Sequence, residues 1–86
     1  MDFVESKLVE LKETIVDDIK KEVIAFINSE GGNLYVGVAD DGRVIGLADS
    51  HSDMLRLTNM IRDTIKPDAT MFVECQIEKI DEKDII

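Results

Sequence analysis

The spacing of hydrophobic residues changes several times along the chain, and each change predicts a new element. Residues 8–12 read Leu-Val-Glu-Leu-Lys and predict a short strand, with Leu8 and Glu10 on one face and Val9 and Leu11 on the other. Apolar residues then recur at helical spacing, with Thr14 as the expected N-cap and Asp17 three residues after it. The apolar stripe of this helix is Ile15, Ile19, Val23, Phe26 and Ile27, widened by Val16 and Ile24.

Glycines mark the end of this helix and the turns that follow it. Gly31 is expected to end the helix in a left-handed conformation, and Gly32 leads into a strand over residues 33–39. The segment Asp40-Asp41-Gly42-Arg43 carries the Asp-Gly signal of a β-hairpin, and residues 44–47 are expected to return antiparallel. Gly37 and Gly46 indicate places where another segment approaches closely.

The second half of the chain repeats the order of helix and strand. A helix is predicted from Ser50 to Pro67, with a buried stripe of Met54, Leu57, Ile61 and Ile65, supported by Leu55 and Met60. Residues 71–80 then alternate, so Met71, Val73, Cys75 and Ile77 are expected to face inward along one strand. Residues 81–84 are a turn, and residues 85–86 begin another strand.

These elements predict an α+β fold, with two helices packed on a mostly antiparallel sheet. The expected order is β-α-β-β-α-β, followed by a final strand that is cut short. A chain of 86 residues is expected to form a single domain, here over residues 1–86 and incomplete at its C-terminus.

The charge balance narrows the choice of partners. The net charge is −9, from 19 acidic and 10 basic residues. Strong binding to phosphates requires Lys and Arg side chains that displace counterions, so the overall charge argues against it but leaves room for a local basic stripe. The lone Cys75 is expected to be a reduced core residue, and His51 an exposed residue of the second helix. No apolar run reaches membrane length, so a cytoplasmic location without membrane contact is expected.

Three segments together resemble one known family. Residues 5–12 read Glu-Ser-Lys-Leu-Val-Glu-Leu-Lys, residues 25–32 read Ala-Phe-Ile-Asn-Ser-Glu-Gly-Gly, and residues 34–46 carry the Gly-Val-Ala-Asp-Asp-Gly hairpin. In this order they resemble the motifs of the Schlafen/AlbA-like domain family. The second half of the chain resembles the family only in the order of its elements.

The resemblance implies two different activities. In bacterial and archaeal relatives this domain stands at the N-terminus of transcriptional regulators and is described as DNA-binding. In animal Schlafen proteins it carries an RNA endonuclease site of three acidic residues. The matching positions here are Glu5, Glu10 and Asp40, with Asp41 as the substitute for Asp40.

A nuclease site would need these carboxylates to converge on Mg²⁺ or Mn²⁺. Glu5 and Glu10 lie an odd number of residues apart, so a straight strand would point them to opposite faces, and the chain would have to turn near Ser6. The alternative is structural: Glu10 pairs with Lys12 or Lys21, and Glu5 is a solvated charge.

Two other features have a structural and a functional interpretation. Asn28 either contacts a ligand or bonds the helix end, and the second is favoured because Asn readily bonds local backbone. Gly31 and Gly32 follow a helix and precede a strand, the reverse of a phosphate-binding loop, so nucleotide binding is weakly supported.

The candidate nucleic-acid contacts are Lys7, Lys12, Lys20, Lys21 and Arg43; alternatively these residues only solubilise the domain. The first hypothesis is therefore a DNA-binding module of a regulator, which needs no cofactor. The second is a metal-dependent RNA endonuclease, so enzyme activity stays open. The third is an oligomerisation or interaction domain, and a homo-oligomer is expected.

Overall fold

The computed structural model describes residues 8–29, 31–64 and 73–86. Its six elements run in the order strand, helix, strand, helix, strand, strand. They are β1 (Val9–Lys12), α1 (Asp18–Ile27), β2 (Asn33–Val36), α2 (Ser50–Thr64), β3 (Glu78–Ile80) and β4 (Lys83–Ile85). The α+β class is confirmed, whereas the predicted residues Glu5, Lys7, Ile65, Pro67 and Met71 lie outside the described parts.

The pairing of β1 with β2 is parallel, so the prediction of a mostly antiparallel sheet is wrong. Val9 lies opposite Asn33 and Lys12 opposite Val36. The cause is the connection: α1 carries the chain back to the starting edge, and a helical crossover of this kind joins parallel strands. The order of apolar and polar residues in a strand indicates which side chains share a face. It does not indicate whether the neighbouring strand runs parallel or antiparallel.

The hairpin of β3 and β4 is joined to this parallel pair by backbone hydrogen bonds of Ile86, the residue that follows β4. β3 and β4 are antiparallel, with Glu78 opposite Ile85. Val36 and Ile86 exchange two backbone hydrogen bonds, Val36 N to Ile86 O at 2.8 Å and Ile86 N to Val36 O at 3.0 Å. The strands therefore follow one another across the molecule as β1, β2, β4 and β3. The strand predicted at residues 85–86 overlaps β4 at Ile85, but β4 begins at Lys83, within the turn predicted for residues 81–84.

Two apolar clusters cover the two faces of these strands. The helix-side core joins α1, β2 and α2 and consists of Ile15, Ile19, Val23, Val36, Leu57, Ile61 and Ile86. The hairpin-side core consists of Leu11, Val38 and Ile85, with Val9, Tyr35, Val44 and Ile80 packed against it. Both helices therefore pack on one side of the strands.

The strand predicted over residues 33–39 ends at Val36, because Gly37 has a φ of +99°. This left-handed residue reverses the alternation of side chains, so Val38 joins the hairpin-side core instead of the helix-side core of Val36. A Cβ at Gly37 would lie 3.2 Å from Ile85 and Leu47 side-chain carbons, which confirms the expected close approach.

The return strand expected at residues 44–47 is reduced to one antiparallel bridge between Val38 and Val44. The Gly37 carbonyl accepts hydrogen bonds from the N–H groups of both Ile45 and Gly46. Two residues of the return segment therefore lie opposite one residue, as in a β-bulge, and regular pairing ends. Gly46 has a φ of +87°, and the Lys83 side chain crosses it, with Cβ 2.9 Å from a Cβ built at Gly46. The close approach predicted at Gly46 is thus confirmed.

Helix α1 begins later and buries less than its pattern indicated. It starts at Asp18 after an Asp17 N-cap without a side-chain capping bond, so Thr14 does not cap it. Val16 and Ile24 are each 39% exposed, and their predicted role in the buried stripe is wrong. The helix ends at Ile27, and Gly31, with a φ of +86°, donates its N–H to the Phe26 carbonyl.

Helix α2 begins at Ser50 as predicted, but a different residue caps it. The Asp49 carboxylate accepts the Ser52 N–H at 3.2 Å, which leaves the Ser50 hydroxyl free to donate to Asp84 Oδ2 at 2.8 Å. This bond connects the start of α2 to β4, 34 residues later in the chain. Leu55 is 62% exposed, so it does not support the buried stripe.

The long strand predicted for residues 71–80 is regular only at Glu78–Ile80. Val73, Cys75 and Ile77 are nevertheless half-buried against the helix-side core, and this part of the inward-facing prediction is confirmed. Asp81 and Glu82 form a two-residue turn in which both have positive φ values, 50° and 65°.

Candidate nucleic-acid interface

A carboxylate–ammonium cluster lies where β1 meets α1. Glu10 and Lys12 point from the same face of β1, and the Lys12 Nζ lies 3.7 Å from Glu10 Oε1 and 3.6 Å from Glu22 Oε1. All three side chains are one third exposed or less. Of the two interpretations of Glu10, the structure therefore shows the ion pair with Lys12. Glu22 is a member of this cluster that the sequence did not indicate.

The other predicted acidic position lies in the hairpin turn that follows Val38. The Asp41 carboxylate accepts the Arg43 N–H at 3.0 Å, which holds the turn in shape. Asp40 is exposed, and its side chain makes no hydrogen bond or ion pair to a described residue. Of these two carboxylates, Asp41 is the one that bonds the turn, whereas Asp40 makes no such contact within the described residues.

The proposed set of three carboxylates includes one residue outside the described parts, Glu5. Within residues 8–29, 31–64 and 73–86, no three His, Cys, Asp or Glu side chains lie close enough to hold a metal ion. Glu10 lies within β1 and Asp40 in the hairpin turn, so the described pair belongs to two separate segments. Their role as metal ligands stays a prediction.

The predicted basic residues are divided between two sides of the molecule. Lys20 and Lys21 lie on α1, and Lys21 is 82% exposed and 3.9 Å from Asp18. Arg43 lies in the hairpin turn next to Val44, which packs on the hairpin-side core. Lys12 is engaged by two glutamates, and Lys7 lies outside the described residues. A single continuous stripe of all five cations is not formed by the described ones.

Two further cations lie in the β3–β4 hairpin, where sequence reasoning did not identify them, and one of them lies beside Arg43. The Lys83 Nζ donates to the Val44 carbonyl oxygen at 3.3 Å, which brings Lys83 next to the Arg43 turn. Lys79 lies on the neighbouring strand, 3.8 Å from Asp84. We call Arg43, Lys79 and Lys83 the hairpin surface. The two lysines lie on either side of the tight turn of residues 81–82. Their position beside a short turn is the feature of the sequence that could have identified them.

The hairpin surface carries acidic residues as well. Asp40 and Asp41 lie in the first turn, and Asp81 and Glu82 in the second, so the four acidic side chains outnumber the three cations. The backbone of Arg43 is fixed at both ends, because its N–H binds Asp41 and its carbonyl accepts the Ala39 N–H at 2.9 Å. The guanidinium is therefore presented from a defined turn.

Three remaining candidates have structural explanations. His51 is exposed in the first turn of α2, as predicted. Asn28 is exposed, and the side-chain bond at the end of α1 comes from Ser29 Oγ to the Phe26 carbonyl, not from Asn28. Cys75 is a free, half-buried thiol, and burial raises its pKa above the ordinary value for cysteine. Its thiolate is consequently scarce near neutral pH.

Comparison with known protein families identifies the domain. The family model described as Schlafen, AlbA_2 matches residues 5–86, nearly the whole chain. The chain therefore belongs to the Schlafen/AlbA_2 family, in agreement with its three motifs. No solved structure shows a significant match to the chain.

No helix in the described parts of the chain is long and apolar enough to cross a membrane. The expected cytoplasmic location and homo-oligomeric state stay predictions.

Proposed function

We propose that this domain binds nucleic acid, with duplex DNA as the ligand, as the DNA-binding module of a transcriptional regulator. The observation that carries the proposal is membership of the Schlafen/AlbA_2 family over residues 5–86. The hairpin surface supports it locally, because the bond from Lys83 Nζ to the Val44 carbonyl brings this lysine next to Arg43.

Arg43 is the principal contact in this proposal. Its backbone is held by Asp41 and Ala39, and its side chain makes no ion pair with a described residue. A guanidinium presents a planar fork of donors that matches two phosphate oxygens. Lys83 adds a point charge beside it and Lys79 another on the neighbouring strand, so the phosphate backbone would cross the two turns.

The acidic balance of the chain predicts binding that is weak and sensitive to salt. Each phosphate contact releases counterions, and the slope of log K against log salt is about −0.9 per contact on duplex DNA. Three contacts on the hairpin surface would give a slope of about −3.

Fluorescence anisotropy with a labelled generic duplex tests this proposal directly. The protein is titrated at several salt concentrations from low to physiological values. We expect saturable binding at low salt that weakens with the slope given above. Absence of any salt-dependent binding would contradict the proposal.

A second candidate function is a metal-dependent RNA endonuclease that uses Glu5, Glu10 and Asp40. One observation favours keeping it. The Asp41 carboxylate accepts the Arg43 N–H, whereas the exposed Asp40 side chain makes no hydrogen bond or ion pair to a described residue. When bound, Mg²⁺ or Mn²⁺ would polarise the phosphodiester and activate water.

Incubation of RNA with the protein and Mn²⁺ tests the nuclease. We expect cleavage that Glu10→Gln and Asp40→Asn abolish, because both changes remove a charged oxygen ligand. Asp41→Asn is the matched control and should retain activity, since Asp41 serves the turn. Cleavage that Glu10→Gln leaves unchanged would indicate a contaminating nuclease and remove this candidate.

A further inference from the structure

The Lys83 side chain crosses the return segment of residues 44–47 at Gly46. The three atoms nearest to a Cβ built at Gly46 all belong to this lysine: its Cβ at 2.9 Å, its Cγ at 3.3 Å and its Cδ at 3.5 Å. The ammonium at the end of the side chain lies 3.3 Å from the Val44 carbonyl oxygen. The stem of Lys83 therefore occupies the space that a side chain at Gly46 would fill, and its charge lies at the residue next to Arg43.

Both sides of this crossing are held in place. The Cβ of Lys83 is bonded directly to the β4 backbone, so rotation of the side chain cannot move that atom away. The β4 backbone is anchored at the next residue, Asp84, whose carboxylate accepts the hydroxyl of the buried Ser50 at 2.8 Å and whose carbonyl accepts a backbone N–H of the return segment at 2.8 Å. On the other side, the Gly46 N–H binds the Gly37 carbonyl at 2.9 Å. A side chain at Gly46 would therefore have to displace Lys83.

The Lys83 ammonium can still bind an anion in this position. It has three N–H donors, and the Val44 carbonyl takes one of them. Lys83 makes no ion pair with a described residue, whereas the Lys79 ammonium on the neighbouring strand lies 3.8 Å from the Asp84 carboxylate. The contact of Lys83 is a neutral carbonyl, which orients the ammonium without neutralising it.

We propose that Gly46 is a positioning residue of the nucleic-acid interface, because the absence of a side chain there lets Lys83 cross the return segment and place its ammonium beside Arg43. This inference rests on the proposed binding of nucleic acid. Gly46 does not touch the ligand and acts through Lys83. The phosphate backbone then meets two cations whose places are set by the fold, a guanidinium on the first turn and an ammonium held from the second.

Placement before binding is an advantage for a lysine. A long side chain that becomes ordered only when the ligand binds loses conformational entropy at that moment, and preorganisation removes part of this cost. In this domain the stem of Lys83 is confined by the Gly46 backbone and the ammonium is held by the Val44 carbonyl. A lysine displaced from this path would lose both restraints.

Gly46→Ala tests the proposal without changing any charge. The added methyl group collides with the Lys83 Cβ and moves the ammonium away from Arg43. On the labelled duplex we expect the salt slope to fall in magnitude by about 1, the loss of one phosphate contact. Lys83→Met should lower the slope by the same amount, and Lys83→Arg, whose stem follows the same path, should retain it.

A double-mutant cycle separates positioning from an independent effect at Gly46. If Gly46 acts through Lys83, Gly46→Ala has no further effect on binding once Lys83 has been replaced by methionine. The double variant should therefore show the same salt slope and the same affinity as Lys83→Met alone. Additive losses would mean that Gly46 influences binding by another route, and they would overturn the proposal.

Gly31→Ala is the matched control for backbone strain. Gly31 has a φ of +86°, close to the +87° of Gly46, but a Cβ there meets nothing within 4 Å. It follows the end of α1 and is not part of the hairpin surface. We expect Gly31→Ala to lower the melting temperature and to leave the salt slope unchanged, with all variants compared at a temperature where circular dichroism shows them folded. An equal fall in slope would assign the effect to lost stability and overturn the proposal.

A comparison of the two lysines needs no change at Gly46, so it decides the matter even if Gly46→Ala does not fold. Lys79→Met and Lys83→Met remove the same charge from the same hairpin. Lys83→Met should weaken duplex binding at low salt more strongly, because the Asp84 carboxylate competes with phosphate for Lys79. Equal losses would mean that the placement of Lys83 gives no advantage, and they would contradict the proposal.

The same titrations distinguish this inference from the proposed function. A native sequence that shows no salt-dependent binding contradicts the proposed function, and the inference falls with it. A native sequence that binds duplex, together with a Gly46→Ala variant that keeps the full salt slope, contradicts only the positioning role of Gly46.

Discussion

Replacement of Ile19 by alanine will remove a large fraction of this domain's free energy of unfolding. Ile19 is 0% exposed and lies in the helix-side core between α1, β2 and α2. Truncation of a buried isoleucine to alanine costs about 2–5 kcal/mol, through lost burial and the cavity that remains. A domain of this size has a free energy of unfolding at the lower end of about 5–15 kcal/mol, so the loss is a large fraction of the total.

Ile24→Ala is the matched control, because it makes the same chemical change in the same helix. Ile24 is 39% exposed, and alanine has the higher helix propensity, so we expect a change within about 1 kcal/mol. Urea denaturation followed by circular dichroism measures both variants. The assignment of the two faces of α1 would be contradicted if Ile24→Ala destabilised the domain as much as Ile19→Ala.

The second large effect is expected at Gly32, where any side chain collides with its surroundings. A Cβ there would lie 2.6 Å from the Phe26 ring and 2.8 Å from the Leu8 carbonyl oxygen. The ring can rotate, but that carbonyl accepts the Asn33 N–H at 2.8 Å at the start of the parallel pair. We expect Gly32→Ala to cost about 1–3 kcal/mol, the usual range for overpacking.

The neighbouring Gly31 is sensitive for a different reason, which makes it a useful comparison. A Cβ at Gly31 meets nothing within 4 Å, but φ is +86°, so Gly31→Ala costs only the strain of the left-handed region, about 1–2 kcal/mol. Asparagine tolerates that region better than alanine does. Gly31→Asn should therefore be milder than Gly31→Ala, and Gly32→Asn no milder than Gly32→Ala. Thermal melts of the four variants measure this, and a milder Gly32→Asn would contradict the steric account.

Much of the fold could be predicted because local chemistry determines it. The Asp-Gly turn of residues 40–43, the start of α2 at Ser50 and the half-buried positions of Val73, Cys75 and Ile77 all follow from nearby residues. The family could also be recognised, because its motifs are short, continuous segments whose glycines and acidic residues serve the turns they occupy.

The remaining errors come from contacts between distant segments. The parallel pairing of β1 with β2 depends on how α1 packs, which no strand pattern reveals. Gly37 adopts a left-handed conformation, and this single residue moves Val38 to the opposite face of the strands. Ser50 fits the pattern of an N-cap, yet its hydroxyl binds Asp84, 34 residues away.

The candidate site shows the same limit. Arg43 could be selected from its place in a hairpin turn, but Lys83 became its neighbour only through the bond to the Val44 carbonyl. Lys12 was selected as a nucleic-acid contact, whereas the fold places its ammonium between Glu10 and Glu22. Charge patterns along a sequence identify cations, and the packing of helices and hairpins decides which of them remain available.

The most direct test of nucleic-acid binding compares Arg43→Glu with Arg56→Glu on the same labelled duplex. Both replacements remove an exposed arginine and change the net charge equally, but Arg56 lies on α2, 3.5 Å from Asp53 and away from the hairpin turns. We predict that Arg43→Glu weakens binding at low salt and reduces the salt slope by about 1, while Arg56→Glu leaves the slope unchanged. Equal effects of the two replacements would contradict the hairpin surface as the nucleic-acid interface.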